Sequence, residues 1–513
     1  MCCVVFATAR SLIRLTEGFI SAILTTTQKS IIVGLIVVFS IFSFTGCGSK
    51  KSDVFNENEI VLSFSAMSDI HQQKGKNDIK DKLVKALGYA ATLNGKPLDL
   101  ALFAGDLTEE AWRQTNVGTQ TDYTTTYNAD IDMLKTAWTE ALDLSKTGVF
   151  YTLGNHDTDP SKLGEEVMGV MPSLFKSQLG DEFFRIDAND SAPELGRRHA
   201  VVNGYHFLAV QPDYYWTGYG YSSEMLDWID AKLAAITKEA PEKYVFVTSH
   251  PPLYETVFGS CTPTWSDSSL KKVLEKYPQV IYFSGHIHNV LQDEIQISQN
   301  GYMTAADCGS VKYTDWMNNV NENLTRFDND CGTRINDFSQ GLLVQVDKSG
   351  NVKITRCDYY KEAIIKEPWL LSYPKAEGSH LKAYDNQSRR DNNKVPEFAD
   401  GTTLNVALDN GTFKLDWNCA TDDDQVRYYL VNLYMKDGGS SVKIKTFYLA
   451  TFTYRYDEVS DMPTHFEWSF TEQSVKDYCA THKIEYTGDM SFELRAVDVW
   501  YGASKSIFAT YTK

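Results

Sequence analysis

The sequence predicts an α/β fold followed by a smaller all-β sandwich, and three patterns carry that expectation. Five short apolar runs between residues 60 and 290 each end close to a residue that can ligate a metal. Segments with helical spacing of apolar residues separate them. Beyond a polar stretch near residue 390, apolar and polar residues alternate with the period of a half-buried strand.

The run Ile60 to Ala66 stops at Ser68-Asp69-Ile70-His71, Leu98 to Ala104 at Gly105-Asp106, and Val149 to Leu153 at Gly154-Asn155-His156-Asp157. Tyr244 to Val247 precedes His250-Pro251-Pro252, and Val280 to Phe283 precedes Gly285-His286-Ile287-His288. Continuous runs of Val, Ile, Leu, Phe and Tyr of this length read as strands buried on both faces. In open α/β sheets, ligands sit beyond the carboxyl ends of such strands. The donors D-x-H, GD, GNHD, H and GHxH therefore surround one crevice. Between the runs, Asp78 to Leu93, Asp130 to Ser145 and Ser223 to Thr237 have the apolar spacing of helices.

Counting donors divides them in two. Asp69, His71, Asp106 and His288 suffice for one divalent ion, and Asp106, Asn155, His250 and His286 for a second, with Asp106 bridging. Two cations ~3.5–4 Å apart form the clamp used for in-line displacement at phosphorus. Carboxylates offset the concentrated charge, a neutral imidazole donates a lone pair, and an Asn carbonyl ligates without adding charge. A lone histidine after an apolar strand is more often structural, and a single GD or D-x-H arises by chance. Five elements in order, each at a strand end, do not. The remaining histidines, His199, His206, His380, His465 and His482, have no ligand-like companions and read as surface or core residues.

Over about residues 60–350 this ordered set resembles the calcineurin-like metallophosphoesterase superfamily. The resemblance implies a four-layer α-β-β-α sandwich and a hydrolase of phosphate mono- or diesters, with two divalent metal ions (manganese, iron or zinc) on the seven residues just named. It implies that His156, the histidine of GNHD, is not a ligand but faces the scissile phosphate and assists the leaving group. Asp157 is expected to hydrogen-bond that imidazole and fix its tautomer. His71 is present where purple acid phosphatases lack a histidine, and Leu107 to Glu109 supply no tyrosinate, which disfavours purple-type chemistry. The competing expectation is a non-catalytic surface binding lipoprotein built on a phosphoesterase scaffold, with a β-sandwich adhesion module. Loss of ligands would favour it, and none is lost.

A formal charge of −18 argues against general nucleic-acid affinity, since a polyanion needs Lys and Arg to neutralise it. At the N-terminus, Lys29 precedes a fifteen-residue apolar stretch, Ile31 to Thr45, too short to span a bilayer comfortably and laid out like a signal sequence. Phe44-Thr45-Gly46-Cys47 resembles a bacterial lipobox. That resemblance implies lipidation at Cys47, a membrane-anchored lipoprotein outside the cytoplasm, a signal peptide over 1–46 and a tether over 47–58. Six further cysteines (Cys261, Cys308, Cys331, Cys357, Cys419, Cys479) lie beyond Cys47, where export permits disulfides but no pairing is determined.

The catalytic module is expected over 59–374 and a polar linker over 375–401, with the first module folding independently of the chain beyond the linker. The polar, Thr-rich stretch Trp112 to Asn128 reads as a loop near the crevice, and Tyr214, Tyr215, Trp216, Tyr219 and Tyr221 as an aromatic cluster on its rim. From 402 to 513, strands are expected at Thr403 to Ala407, Thr412 to Trp417, Val426 to Met435, Val442 to Phe452 and Ser491 to Val499. Leu415-Asp416-Trp417, Tyr428-Tyr429-Leu430-Val431 and Phe492 to Asp498 resemble the B, C and F strands of a fibronectin type III or related sandwich. Such motifs speak of fold, not activity.

Overall fold

Burial decides the architecture around the crevice. In the computed structural model, which describes residues 52–109, 120–158, 170–213, 220–261, 265–316, 333–335, 338–375, 377–451 and 463–513, the apolar runs are strands with buried faces on both sides. β1 (Ile60–Met67), β2 (Leu100–Ala104) and β3 (Gly148–Thr152) pair in parallel. Parallel neighbours need crossover connections, and α1 (Asn77–Asn94) and α2 (Gln120–Ala141) supply them. α3 (Asn155–Thr158) and α4 (Met171–Leu179) follow β3.

A second sheet begins with an antiparallel pair, β4 (Arg197–Val202) and β5 (Tyr205–Val210). α5 (Ser223–Glu239), β6 (Val245–Thr248), α6 (Ser269–Leu274), β7 (Val280–Ser284), β8 (Ile297–Ser298) and β9 (Thr304–Asp307) complete it, in the order β4-β5-β6-β7-β9-β8. β5, β6, β7 and β9 run parallel. The chain then returns to the first sheet, where β10 (Gln340–Asp347) pairs antiparallel with β1 and β11 (Val352–Asp358) with β10. Two short strands, β12 (Ala363–Ile364) and β13 (Trp369–Leu371), both pair with β11.

Side-chain alternation along each strand assigns the cores. Leu62, Phe64, Leu100 and Leu102 meet Phe207, Phe246, Ile281 and Phe283 of the second sheet. Phe64 stands edge-on to Phe207, Phe246 and Phe283 at centroid distances of 5.2, 4.9 and 5.9 Å, the arrangement that the ring quadrupoles favour. Ala101, Phe103, Val149 and Tyr151 point the other way, into a core with Leu83 and Leu87 of α1 and Ile131, Leu134 and Trp138 of α2. Val245, Val247, Val280 and Tyr282 pack against Ile229 and Leu233 of α5 and Leu270 and Leu274 of α6. Ser222 caps α5 by accepting from the Met225 amide at 3.3 Å.

The Thr-rich stretch expected as a loop is helical from Gln120 onward. Tyr127, Ile131, Leu134 and Trp138 recur at one helical face and are fully buried, so tertiary packing overrides the weak helix propensity of threonine. Residues 112–119 of that stretch, four of the five rim aromatics (Tyr214, Tyr215, Trp216, Tyr219), Cys331 and everything up to residue 51, Cys47 included, lie outside the described residues. The described cysteines, Cys261, Cys308, Cys357, Cys419 and Cys479, are free thiols.

The segment expected as a linker is strapped to the first module. His380 Nε2 lies 3.0 Å from the Pro278 carbonyl. Asn386 opens α7 (Asn386–Asp391), from which the Arg389 guanidinium donates to the Glu294 carbonyl at 3.0 Å and to the Ile297 carbonyl. His380 and Arg389 face backbone carbonyls of that module while Lys382, Gln387, Arg390 and Lys394 stay exposed, and residues 53–513 form one compact unit. Beyond the strap, β14 (Asn405–Asp409), β15 (Thr412–Asn418) and β18 (His465–Thr471) form one sheet, in that order. β16 (Val426–Asp437), β17 (Ser440–Ala450), β19 (Met490–Asp498) and β20 (Ile507–Tyr511) form another, in the order β17-β16-β19-β20. Phe413, Leu415 and Trp417 of one sheet and Val431, Leu433, Phe492 and Leu494 of the other share a core, joined by Val475 and Cys479 of α8 (Glu472–Thr481). β18, α8 and β20 add to the elements that the alternation of residues predicts.

Because Phe64 touches three rings of the opposite sheet, Phe64→Ala is expected to lower the stability of the metal-saturated chain by about 3–5 kcal/mol, as large-to-small core changes do. Denaturant unfolding followed by tryptophan fluorescence measures it. A change below about 1 kcal/mol would mean that this core collapses around the missing ring.

Candidate metal centre

Every proposed ligand follows a strand. Asp69 and His71 follow β1, Asp106 follows β2, Asn155 and His156 follow β3, His250 follows β6, and His286 and His288 follow β7. The chain turns abruptly there. Asp69, His71, Asp106, His286 and His288 all adopt positive φ, between 48° and 74°, a region uncommon for residues other than glycine although Asp and His enter it more readily than most. Two glycines let the loops close on one another. A Cβ on Gly285 would stand 1.8 Å from Ser68 Oγ and 2.5 Å from Asp69 Oδ2, and one on Gly154 would stand 2.1 Å from Asp106 Oδ1.

These turns bring the donors together. Asp69, His71, Asp106 and His288 each place a ligand atom within 4.8 Å of the others, and Asp106, His250 and His286 form a second such group. Asp106 belongs to both. His288 Nε2 lies 2.8 Å from Asp69 Oδ1 and His71 Nε2 lies 3.3 Å from His288 Nε2. Each carboxylate has one oxygen anchored by backbone: the His286 amide donates to Asp69 Oδ2 and the His156 amide to Asp106 Oδ1, both at 2.9 Å. The other oxygens, Asp69 Oδ1 and Asp106 Oδ2, are buried without a hydrogen-bond partner, as is His250 Nε2.

That pattern tests whether a cation fits. His250 Nδ1 sits 2.8 Å from the Ala104 carbonyl, which accepts only from an N–H, so the Nε2 lone pair is left facing Asp106 Oδ2 at 3.1 Å. Two lone pairs opposed in a buried site require positive charge between them. Either protons or metal ions meet that requirement. With protons alone, burial opposes charge on His250 but Asp106 outweighs it and draws the imidazole up to about 9. Burial likewise opposes charge on Asp106 and Asp69, yet His250 and His288 respectively hold them below the usual carboxylate range. His286 goes the other way, down to about 3, through burial and the neighbouring His250, and so stays neutral and able to ligate. Imidazole and carboxylate donors of this kind suit divalent zinc, iron and manganese.

His156 stands beside this group, its Nε2 3.9 Å from Asp106 Oδ2 and its ring 4.5 Å from that of His71. The expected hydrogen bond from Asp157 to His156 is replaced by another. Asp157 Oδ1 accepts from the amide and hydroxyl of Thr108 at 2.7 and 2.8 Å, and Oδ2 from the amides of Gly154 and Leu107 at 2.8 and 3.1 Å. Its lone pairs tie the loop after β2 to the loop after β3, and burial with the nearby Asp106 pushes it up to about 6. Glu109 takes the role instead, with Oε1 2.8 Å from His156 Nδ1. Burial opposes the Glu109 charge, but His156 and His71 hold it well below its ordinary value. Burial also opposes a proton on His156, and Asp106 with Glu109 raises it nonetheless.

In the sequence Glu109 stands out only for the tyrosine it is not, although its place three residues after Asp106 puts it on the same loop. Lys312 Nζ, 2.6 Å from Glu109 Oε2, and Tyr313, whose ring lies 4.4 Å from that of His288, follow no apolar run that would mark them. Their segment joins the centre through backbone: Val311 and Lys312 amides donate to the carbonyls of Ser68 and Asp69 at 3.0 and 3.1 Å. Trp265 packs edge-on to His286 at 5.4 Å. His199 and His206, expected to be structural, pair with each other at 2.9 Å, and His199 Nδ1 lies 2.8 Å from Asp190 Oδ1.

The fold and donor set define an α/β domain with a buried Asp and His cluster at the carboxyl ends of its strands. Residues 62–290 match the family model of calcineurin-like phosphoesterases, and the buried Asp and His cluster fits a dinuclear divalent metal site. No curated protein matches the chain. Similar solved structures include purple acid phosphatase PPD1 from yellow lupin (Lupinus luteus) seeds, at 11% identity and a TM-score of 0.40, over 65% of this chain and 57% of that one. The 5′-nucleotidase precursor from Thermus thermophilus is similar at 11% identity and a TM-score of 0.31, over 83% of this chain and 97% of that one. This chain thus spans 57% of the length of the lupin enzyme.

Gly154→Ala tests the close approach at Asp106. The added methyl group displaces the carboxylate shared by both donor groups, so elemental analysis should find fewer than two ions per chain while the circular dichroism of the fold persists. Two ions retained in a folded variant would show that the loop yields without moving Asp106.

Proposed function

We propose that this chain is an exported, metal-dependent phosphoesterase that hydrolyses phosphate mono- or diesters by attack of an activated water. The observation that carries the reading is Asp106, buried, common to both donor groups and with one oxygen lacking any donor. Asp69, His71, Asp106 and His288 are assigned to one ion, and Asp106, Asn155, His250 and His286 to the other. Two divalent ions, of manganese, iron or zinc, would supply the positive charge that holds a phosphate ester and acidifies water. The chain's own residues do the rest. Asp106 and Asp69 offset the charge of the centre, the backbone amides of His156 and His286 fix their orientation, and His156 delivers a proton to the leaving oxygen. Glu109 orients the His156 ring and, with Asp106, favours its protonated form, while Lys312 holds Glu109 from the far side.

The reading extends to architecture and location. The three cores around the two sheets support a four-layer α-β-β-α arrangement, and the strand orders β14-β15-β18 and β17-β16-β19-β20 support a fibronectin type III-like C-terminal sandwich. Lipid attachment at Cys47 would hold the enzyme at a membrane, outside the cytoplasm, where it meets phosphate esters of small molecules. Among the described residues no helix is long and apolar enough to cross a membrane.

Hydrolysis of p-nitrophenyl phosphate and bis-p-nitrophenyl phosphate by the metal-loaded chain, with and without a chelator, tests the reading and ranks monoester against diester. Turnover of neither ester would leave a binding scaffold. Asp106→Ala should abolish chelator-sensitive activity and reduce bound metal more than loss of any other single ligand, and retention of both ions would remove the shared role. His156→Ala should keep both ions while the rate falls by about 10²–10⁴. The fall should be smaller for an activated leaving group, which needs less protonation; equal falls for good and poor leaving groups would count against a proton donor.

A further inference from the structure

The strap and the C-terminal sandwich converge on one short loop, residues 289–296, which begins at the residue after His288. Asp293 in this loop is fully buried. Its Oδ1 accepts from the Ile295 amide at 3.1 Å and its Oδ2 from the Asn289 side chain at 3.0 Å. The same Oδ2 accepts from Arg427, which is also fully buried and reaches across from β16 of the sandwich. The Arg427 guanidinium lies over the Phe258 ring at 4.4 Å and donates to Tyr501 Oη at 3.3 Å. Phe258 belongs to the stretch that follows His250. It shares a small core with Ile287, which sits between His286 and His288, and with Val499 and Trp500 of the sandwich. Val290 enters a second such core with Tyr428, Ala450 and Val497.

One side chain of the sandwich therefore touches both loops that bring imidazoles to the centre from the second sheet. Those loops need bracing, since His286 and His288 stand at φ 74° and 57°, and strained backbone persists only where its surroundings over-determine it. The sandwich carries a strained point of its own at the contact. Tyr501, a bulky aromatic, has φ 66°, in a turn held by Asp498 Oδ1, which accepts from the amides of Trp500 and Gly502 at 2.7 and 2.8 Å. A buried ion pair such as Arg427–Asp293 is a weak source of stability compared with apolar packing, and its best-attested use is to specify one arrangement over others.

We propose that the C-terminal sandwich is a working part of the metal centre, with Arg427 as a positioning residue that sets, through Asp293 and Phe258, the loops carrying His250, His286 and His288. The proposal rests on the phosphoesterase reading. It replaces the sequence-based picture of a first module that works alone.

The test uses the full chain. Arg427→Lys keeps the charge but loses the planar guanidinium that reaches Asp293 and Tyr501 while covering Phe258. Arg427→Gln combined with Asp293→Asn removes both charges and leaves a hydrogen-bonding pair, so that one variant folds without a stranded buried charge. Phe492→Leu, in the sandwich core away from the contact, serves as the control for general destabilisation. Metal retained under graded chelator, the visible spectrum of the cobalt-loaded protein, and kcat and KM for the two nitrophenyl esters are measured beside Tm. Arg427→Lys and the neutral pair should hold the ions about 10–100-fold more weakly, with a changed cobalt spectrum and lowered kcat. Phe492→Leu should lower Tm and leave the other readouts unchanged. Folded Arg427 variants with parental metal affinity, spectrum and kcat would overturn the positioning role while leaving the phosphoesterase reading intact. Equal metal loss in Phe492→Leu would also overturn it. A parent chain that neither binds metal nor cleaves either ester would overturn both.

Discussion

A buried carboxylate oxygen that only imidazole nitrogens face needs positive charge beside it, and this chain holds two of them, Asp69 Oδ1 and Asp106 Oδ2. Asp69 and Asp106 each have one oxygen pinned by a backbone amide and one aimed at the imidazoles. The pinning amides come from other loops: the amide of His286 holds Asp69, and that of His156 holds Asp106. A demand for positive charge at one point thereby becomes a set of cross-links among loops that are distant in sequence. Gly154 and Gly285 sit where those cross-links leave no room for a Cβ.

The left-handed backbone at five ligand positions belongs to the same constraint. A strand that simply ended would carry its next side chains past the crevice, whereas an abrupt turn points them back over the strand ends. Such conformations cost on the order of 1–3 kcal/mol each, and the Phe64 ring cluster, with the helices on both outer faces, offsets them. Activity of the proposed kind is therefore a property of the cores as much as of the loops. Asp157 shows how far polar groups are committed to the framework: four donors on two oxygens weld the loop after β2 to the loop after β3.

Much of this is legible in the residues. The five apolar runs form strands to within two residues at each end, because a strand packed on helices at one face and on the opposite sheet at the other has to be apolar on both faces. The donors are legible because they follow those runs. Glu109, Lys312 and Tyr313 are not, since they reach the centre through backbone pairing with the Asp69 loop rather than by following a strand. Asp157 is misplaced because adjacency to His156 in sequence suggests contact, while the helical turn of α3 points the two side chains apart. The segment 375–401 misleads for a different reason. A polar composition marks a solvated linker only if its polar groups face water, and those of His380 and Arg389 face carbonyls. Helix α2 hides behind its threonines, and β18 and β20 behind their mixed exposure as outer strands of small sheets.

The donors are divided between the sheets. Asp69, His71, Asp106 and Asn155 follow strands of the first, and His250, His286 and His288 follow strands of the second. Their meeting point exists only when both sheets are formed and facing, so whatever cation they hold has no counterpart site in the unfolded chain. Occupancy and cohesion are then one equilibrium viewed from two sides. At a free ion concentration a hundred times the dissociation constant, such exclusive binding adds about 2.7 kcal/mol to the folded state. For a chain of this kind the supply of metal in its surroundings would be a determinant of how long the protein survives, as well as of how fast it works.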